Sequence, residues 1–217
     1  MDDTRSLAAM LRYRRPAGSR SEKRFIKQHI LPLGMNIDKV GNLYKKIGDS
    51  PVLWSCHTDT VHKQGGTQKL LLSEGVFKVF DKDSNCLGAD DTAGVWLMTQ
   101  MIEGNVPGLY IFHRAEEIGG VGSKHIALHN KALLEGVHFA VAFDSYGKTS
   151  IITHQMWDRC CSDDFAASLG KELGMGHVKD DGGTFTDTAN YTDDIAECTN
   201  LSVGYKSQHS SQETLDS

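Results

Sequence analysis

Apolar positions along this chain recur at two periods, and their alternation predicts the architecture. After Ser19, which forms a capping-box pattern with Glu22, Phe25, Ile26, Ile30 and Leu33 return at helical spacing until Gly34. A helix is expected there. Residues 35–48 read as a strand or a hairpin bent at Gly41, and "VLWSC" (52–56) is the short continuous apolar run of a strand buried on both faces. Residues 67–80 divide into two strands at Ser73, Glu74 and Gly75. From Asp91 to Ile102, Ala93, Trp96, Leu97 and Met101 share one helical face, and Gly104, Asn105, Pro107 and Gly108 end it. "LYIFH" (109–113) and "VHFAVAF" (137–143) are further buried strands, separated by a helix through 123–135. Ser162 is placed to cap a helix over 162–173.

Strands alternating with helices imply an α/β fold of three layers, a largely parallel central sheet with helices on both faces. With no internal repeat or low-complexity linker, residues 1–217 are expected to form one domain. A composition of 39% hydrophobic and 24% charged residues with net charge -5 is that of an ordinary globular chain. The basic stretch at 12–24 is short and broken by Pro16 and Gly18, so no nucleic-acid partner is implied. No apolar run approaches the roughly 18 residues of a membrane span, and the acidic N-terminus lacks a signal-peptide pattern. The five cysteines, odd in number and without CxxC spacing, suit reduced thiols, so a cytoplasmic protein without membrane contact is expected.

Open sheets of this kind place ligands beyond the carboxyl ends of their strands. The strand at 52–56 is followed by His57, Thr58 and Asp59, that at 109–113 by Arg114, Ala115, Glu116 and Glu117, and that at 137–143 by Asp144. "TNLSVGY" (199–205) leads to His209, and Asp90 and Asp91 stand at a helix start. Singly, each has an ordinary explanation: a helix cap, a solvated loop, a hydrogen-bonded histidine. Together they gather two histidines and several carboxylates at one sheet edge without a matching set of lysines and arginines. Such like charges repel unless a cation neutralises them, and this mixture of imidazoles and carboxylates suits zinc or a similar divalent ion.

The ordered set "HTDTVH", "LGADDTAGV", "HRAEEIGGVGS", "AFDSYG" and "LSVGYKSQHSSQE" resembles the co-catalytic zinc exopeptidase clan, which includes leucyl aminopeptidases, tripeptidase-type peptidases and glutamate carboxypeptidases. The likeness runs from about residue 19 to 213. It implies a first metal held by His57, Asp90 and Asp144 and a second held by Asp90, Glu117 and His209, with Asp90 as the bridge because it stands four residues before Gly94. The two cofactor ions would be zinc, with cobalt or manganese as alternatives. The resemblance makes Glu116 the general base acting on a water shared by the ions, and short peptides the substrate. Asp59, two residues from His57, would bond the other imidazole nitrogen. Asp144 favours an aminopeptidase, since several carboxypeptidases have Glu there.

Only 64 residues separate Asp144 from His209, too few for the inserted lid or dimerisation domain of two-domain members, and the oligomeric state is left open. The alternatives are a carboxypeptidase or amide deacylase of the same clan, or a non-hydrolytic relative such as a metal-stabilised binding domain or a glutaminyl cyclase-like acyltransferase. His125 and His129 lack the intervening Glu of a zincin, since Ile126 occupies its place. "KDDGGTFTD" (179–187) reads as a mobile loop whose "FTDT" resembles one near the clan's active site. His62, His113 and His154 are expected to be structural.

Overall fold

A computed structural model describes residues 3–217. Among them, eight strands make the central sheet: β1 (Asn36–Ile37), β2 (Leu43–Ile47), β3 (Val52–His57), β4 (Gly108–His113), β5 (Phe139–Ser145), β6 (Ser150–Ile152), β7 (Val178–Asp180) and β8 (Glu197–Ser202), in the order β7-β6-β8-β5-β3-β4-β2-β1. The central pairs β8/β5, β5/β3 and β3/β4 are parallel. Antiparallel pairing is confined to β1/β2, β2/β4 and β6/β8. The expected three-layer α/β architecture is therefore present, with a mixed sheet whose parallel middle supplies the strand ends.

Alternation along the central strands feeds two cores. Tyr110 and Phe112 pack on one face with Trp54 and Cys56, under helix α3 (Ala89–Glu103) through Val95, Met98 and Ile102. Leu109, Ile111 and Leu53 point to the other face, where Ile126 and Ala127 of α4 (Val121–His129) meet Tyr191 and Ile195. Buried side chains of this size each contribute about 1.5–3 kcal/mol, so a one-residue slip of β4 would exchange both cores. α1 (Asp3–Leu11) was not foreseen, and α5 (Asp163–Leu173) starts at Ser162, whose hydroxyl accepts from the Phe165 amide at 3.1 Å.

Several expectations need correction. The stretch after Ser19 is not one helix: α2 (Arg20–Phe25) opens into a π turn over Ile26–Ile30 and a 3-10 turn over Leu31–Leu33, because Pro32 lacks the amide that a continuing helix requires. The Ser19 cap forms, but the Glu22 carboxylate reaches the Gly18 amide rather than that of Ser19. The helix through 123–135 breaks at Asn130 into a 3-10 turn, Lys131–Leu134. The two strands expected in 67–80 do form, as Leu70–Ser73 and Val76–Val79, but in a second, four-stranded sheet: they pair with each other, Val76–Val79 pairs with Thr214–Asp216, and that strand with Tyr205–Lys206. "KDDGGTFTD" is not all loop: β7 pairs with β6, Gly183 bridges to Gln155, and Asp187 opens a 3-10 turn, Asp187–Tyr191.

Candidate metal centre

The carboxyl ends of β3, β4 and β5 and the start of α3 converge on one polar cleft. His57 closes β3 and is 1% exposed; its Nε2 lies 3.1 Å from Asp90 Oδ1 and 3.5 Å from Asp144 Oδ1. Across the cleft, His209 Nε2 lies 3.1 Å from both Asp90 Oδ2 and Glu117 Oε1. The two oxygens of one carboxylate thus face two histidines. Ligands bonded at about 2.0–2.2 Å around a tetrahedral ion stand roughly 3.3–3.6 Å apart, close to these separations. Donor atoms of His57, Asp90 and Asp144, and of Asp90, Glu117 and His209, each lie within 4.8 Å of one another, as do those of His57, Glu116 and Glu117. Apart from the His209 imidazole 3.1 Å away, buried Glu117 Oε1 has no hydrogen-bond partner among the described residues, the state of an acceptor that a cation satisfies.

Local structure explains how these side chains are presented. Asp90 and Asp91 belong to α3 but have non-helical torsions, so regular winding begins after them and the Asp90 side chain is left in the cleft. Asp91 is the cap: its carboxylate accepts from the amides of Gly94 at 2.9 Å and His57 at 3.1 Å. Position 94 must be glycine, since a Cβ there would collide with the Phe143 carbonyl and the Asp91 carboxylate. Ala115 (φ 57°) and His209 (φ 62°) adopt the left-handed conformation, a local strain in the two loops that carry Glu117 and His209 to the cleft. The end of β5 differs from expectation, as the strand continues to Ser145 and Asp144 lies within it.

Asp59 also departs from its expected part. The His57 Nδ1 bonds the backbone carbonyl of Asp59 at 3.1 Å, with the carboxylate farther away at 3.5 Å. That carboxylate instead accepts from the backbone amides of Glu116 at 3.1 Å and Glu117 at 3.2 Å, tying the end of β3 to the loop after β4. With Nδ1 committed to a carbonyl, Nε2 is the nitrogen left to face Asp90 and Asp144.

Sequence reasoning missed the groups that hold the acids. Thr186 donates to Asp144 Oδ2 at 2.6 Å and Tyr205 to Oδ1 at 3.2 Å. Glu213 accepts from the amides of Leu87 and Gly88 at 2.9 Å and of Asp90 at 3.0 Å, fixing the turn into α3. "FTDT" and the last letter of "SSQE" were visible signals without visible partners. Of the histidines expected to be structural, His113 bonds Tyr191 at 2.6 Å and His62 bonds Thr60 at 2.7 Å and Gln68 at 3.1 Å. His154 bonds Thr153 at 3.0 Å. His125 and His129 pack ring to ring on α4, 5.3 Å apart.

The electrostatics show how much charge the cleft must balance. Burial pushes the Glu116 carboxyl up to about 10, with His57 opposing, and burial together with Asp90 raises Asp144. Burial would lower His57, but Asp144, Asp59 and Asp90 outweigh it and raise it well above the ordinary imidazole value. Bonds to Asp90 and Glu117 raise His209 to about 10. By themselves, these side chains must hold protons to coexist. Divalent cations would do the same work, releasing the protons and leaving neutral imidazoles and ionised carboxylates as ligands.

No family model and no curated protein matches this sequence. Solved structures do. The aminopeptidase PepT from Bacillus cereus is similar with a TM-score of 0.79 at 16% identity, over 99% of this chain and 93% of that one. The fold is shared. A tripeptidase from Staphylococcus aureus gives a TM-score of 0.75 at 14% identity, over 99% of this chain and 92% of that one. The Pyrococcus horikoshii TET1 peptidase, which can assemble into a tetrahedron or a large octahedral shell, gives 0.70 at 16% identity, over 99% and 94%.

Proposed function

We propose that this chain is a two-metal aminopeptidase that removes the N-terminal residue of short peptides. The observation that carries the reading is Asp90, whose carboxylate oxygens each stand 3.1 Å from a different histidine, as expected of a bridge between two ions. His57, Asp90 and Asp144 would hold one ion, and Asp90, Glu117 and His209 the other. When bound, the ions, zinc foremost, supply Lewis acidity that activates water and polarises the scissile carbonyl. Glu116, 9% exposed and, among the described residues, without a hydrogen bond to its carboxylate, accepts the proton of the attacking water. As the C–N bond breaks, it delivers that proton to the leaving amine. Asp59 keeps Glu116 and Glu117 in place through their amides, and Thr186 and Tyr205 orient Asp144.

Lining charge supports the amino end. Among the described residues, the cleft is lined by Asp90, Glu116, Glu117, Asp144, the proposed ligand His209 and uncharged neighbours including Tyr146, Phe185 and Gln208, with no lysine or arginine. A substrate α-ammonium finds carboxylates there, whereas a free α-carboxylate finds no lysine or arginine to clamp it. One domain over residues 1–217 would contain the whole catalytic unit. Among the described residues no helix is long and apolar enough to cross a membrane, and the five buried free cysteines fit a reducing compartment such as the cytoplasm.

Metal analysis beside a panel of free and end-blocked peptides tests the reading. The expected result is two ions per chain, cleavage that needs a free N-terminus, and activity lost in Glu116→Gln with the ions retained. Full activity in that variant, or hydrolysis insensitive to chelation, would refute the mechanism. Cleavage of N-blocked but not C-blocked peptides would reverse the choice of end.

A further inference from the structure

Arg15 is 0% exposed, an unusual position for a guanidinium in a short basic stretch. Burial lowers its pKa to about 10, against the pull of Glu22, Asp91 and Asp59, which still leaves it charged at neutral pH. Its Nε donates to the Thr58 carbonyl at 2.8 Å and its Nη1 to the Thr92 hydroxyl at 2.9 Å, while the guanidinium carbon lies 4.0 Å over the Phe25 ring. Thr58 sits between His57 and Asp59, and Thr92 is two residues after Asp90. One side chain therefore spans the two segments that bring His57 and Asp90 together.

The backbone reinforces this span. Arg15 N donates to the Thr60 hydroxyl at 3.1 Å, and Arg15 O accepts from the Thr60 amide at 2.9 Å. Glu22, 2% exposed, accepts from the Thr58 hydroxyl at 2.8 Å. Among the described residues, the buried Arg15 Nη2 finds no hydrogen-bond partner. An apolar residue would fill the same space without that cost, so simple packing does not account for an arginine here.

We propose that Arg15 is a positioning residue that sets the distance between the His57–Asp59 turn and the start of α3, and with it the convergence of His57 and Asp90 on one ion. This rests on the two-metal reading above. Arg15 is not among the residues lining the cleft and acts only through Thr58 and Thr92.

Wild type, Arg15→Met, Arg15→Lys, Thr92→Val and Thr92→Ser are compared for zinc affinity by competition with a chromophoric chelator. Amide hydrogen exchange of the ion-free proteins is followed over residues 55–62 and 87–93. The Met variant is expected to bind zinc about 10-fold or more weakly, to exchange faster in both segments, and to lose kcat with KM little changed. Lysine recovers part of the affinity. Thr92→Val loses about 3-fold and serine restores it. A folded Arg15→Met protein with wild-type zinc affinity would overturn the proposal; if that variant does not fold, equal affinity in Thr92→Val and wild type would do so. A wild-type protein that binds zinc yet cleaves no peptide would refute the hydrolase reading instead, and the affinities would still decide the role of Arg15.

Discussion

Replacing Asp59 by asparagine tests whether one buried carboxylate holds the loop that carries Glu116 and Glu117. Asp59 is 0% exposed, and its two oxygens each take one amide, from Glu116 at 3.1 Å and Glu117 at 3.2 Å. Asparagine keeps the volume but only one oxygen, so one amide would face an NH2 group. Stranding a buried N–H costs about 1–3 kcal/mol, and converting the surviving bond from a charged to a neutral acceptor removes about 1 kcal/mol more. The expected loss is about 2–4 kcal/mol, or a fall in Tm of about 5–15 °C for a chain of this size. Zinc affinity should fall about 10- to 100-fold, the usual consequence of disturbing a ligand's support. Urea unfolding in chelator reads the first quantity and chelator competition the second. A variant within about 0.5 kcal/mol of wild type, with unchanged zinc affinity, would show that the carboxylate does not hold this loop.

Three further outcomes are expected. Thr186→Val and Tyr205→Phe each remove one bond to Asp144, at 2.6 and 3.2 Å, so each should weaken zinc binding while changing stability by about 1 kcal/mol; titration calorimetry measures the affinity. Burial lowers the pKa of His62 to about 4 and of His113 to about 3, so both remain neutral when folded at pH values where the unfolded chain, near 6.5, takes up protons. Their contribution is present above pH 6.5 and is lost as pH falls toward 4; His62→Asn should flatten the urea-stability profile by about 1.4 kcal/mol per pH unit in that window. Ser162→Ala should destabilise the start of α5 by about 1 kcal/mol, seen in thermal unfolding, since its hydroxyl caps the Phe165 amide.

Strand positions were legible because β3, β4 and β5 are buried on both faces and therefore read as continuous apolar runs. The residues just beyond them, with Asp90 at a helix start, could then be placed at one edge before any coordinates. Supporting contacts were not legible, since Thr186–Asp144, Tyr205–Asp144 and Glu213–Asp90 join residues 42, 61 and 123 positions apart through strand pairing that no local pattern encodes. β6 and β7, three residues each, are too short to carry a period. The unwound end of α2 escaped notice because Ile26, Ile30 and Leu33 satisfy a helical period even where Pro32 changes the winding. Arg15 did not stand out from the basic stretch at 12–24 because its acceptors lie in segments more than 40 residues away.

The two ties at the strand ends also bear on how such a centre is transplanted. Asp59 offers His57 a main-chain oxygen, and Glu213 receives three main-chain amides from the turn into α3. A designer who grafts only the five proposed ligand side chains and Glu116 onto another scaffold leaves those peptide groups behind. The unit that can be moved is the pair of turns with their carboxylate anchors, and a host that cannot reproduce that backbone would receive the right residues without their aim.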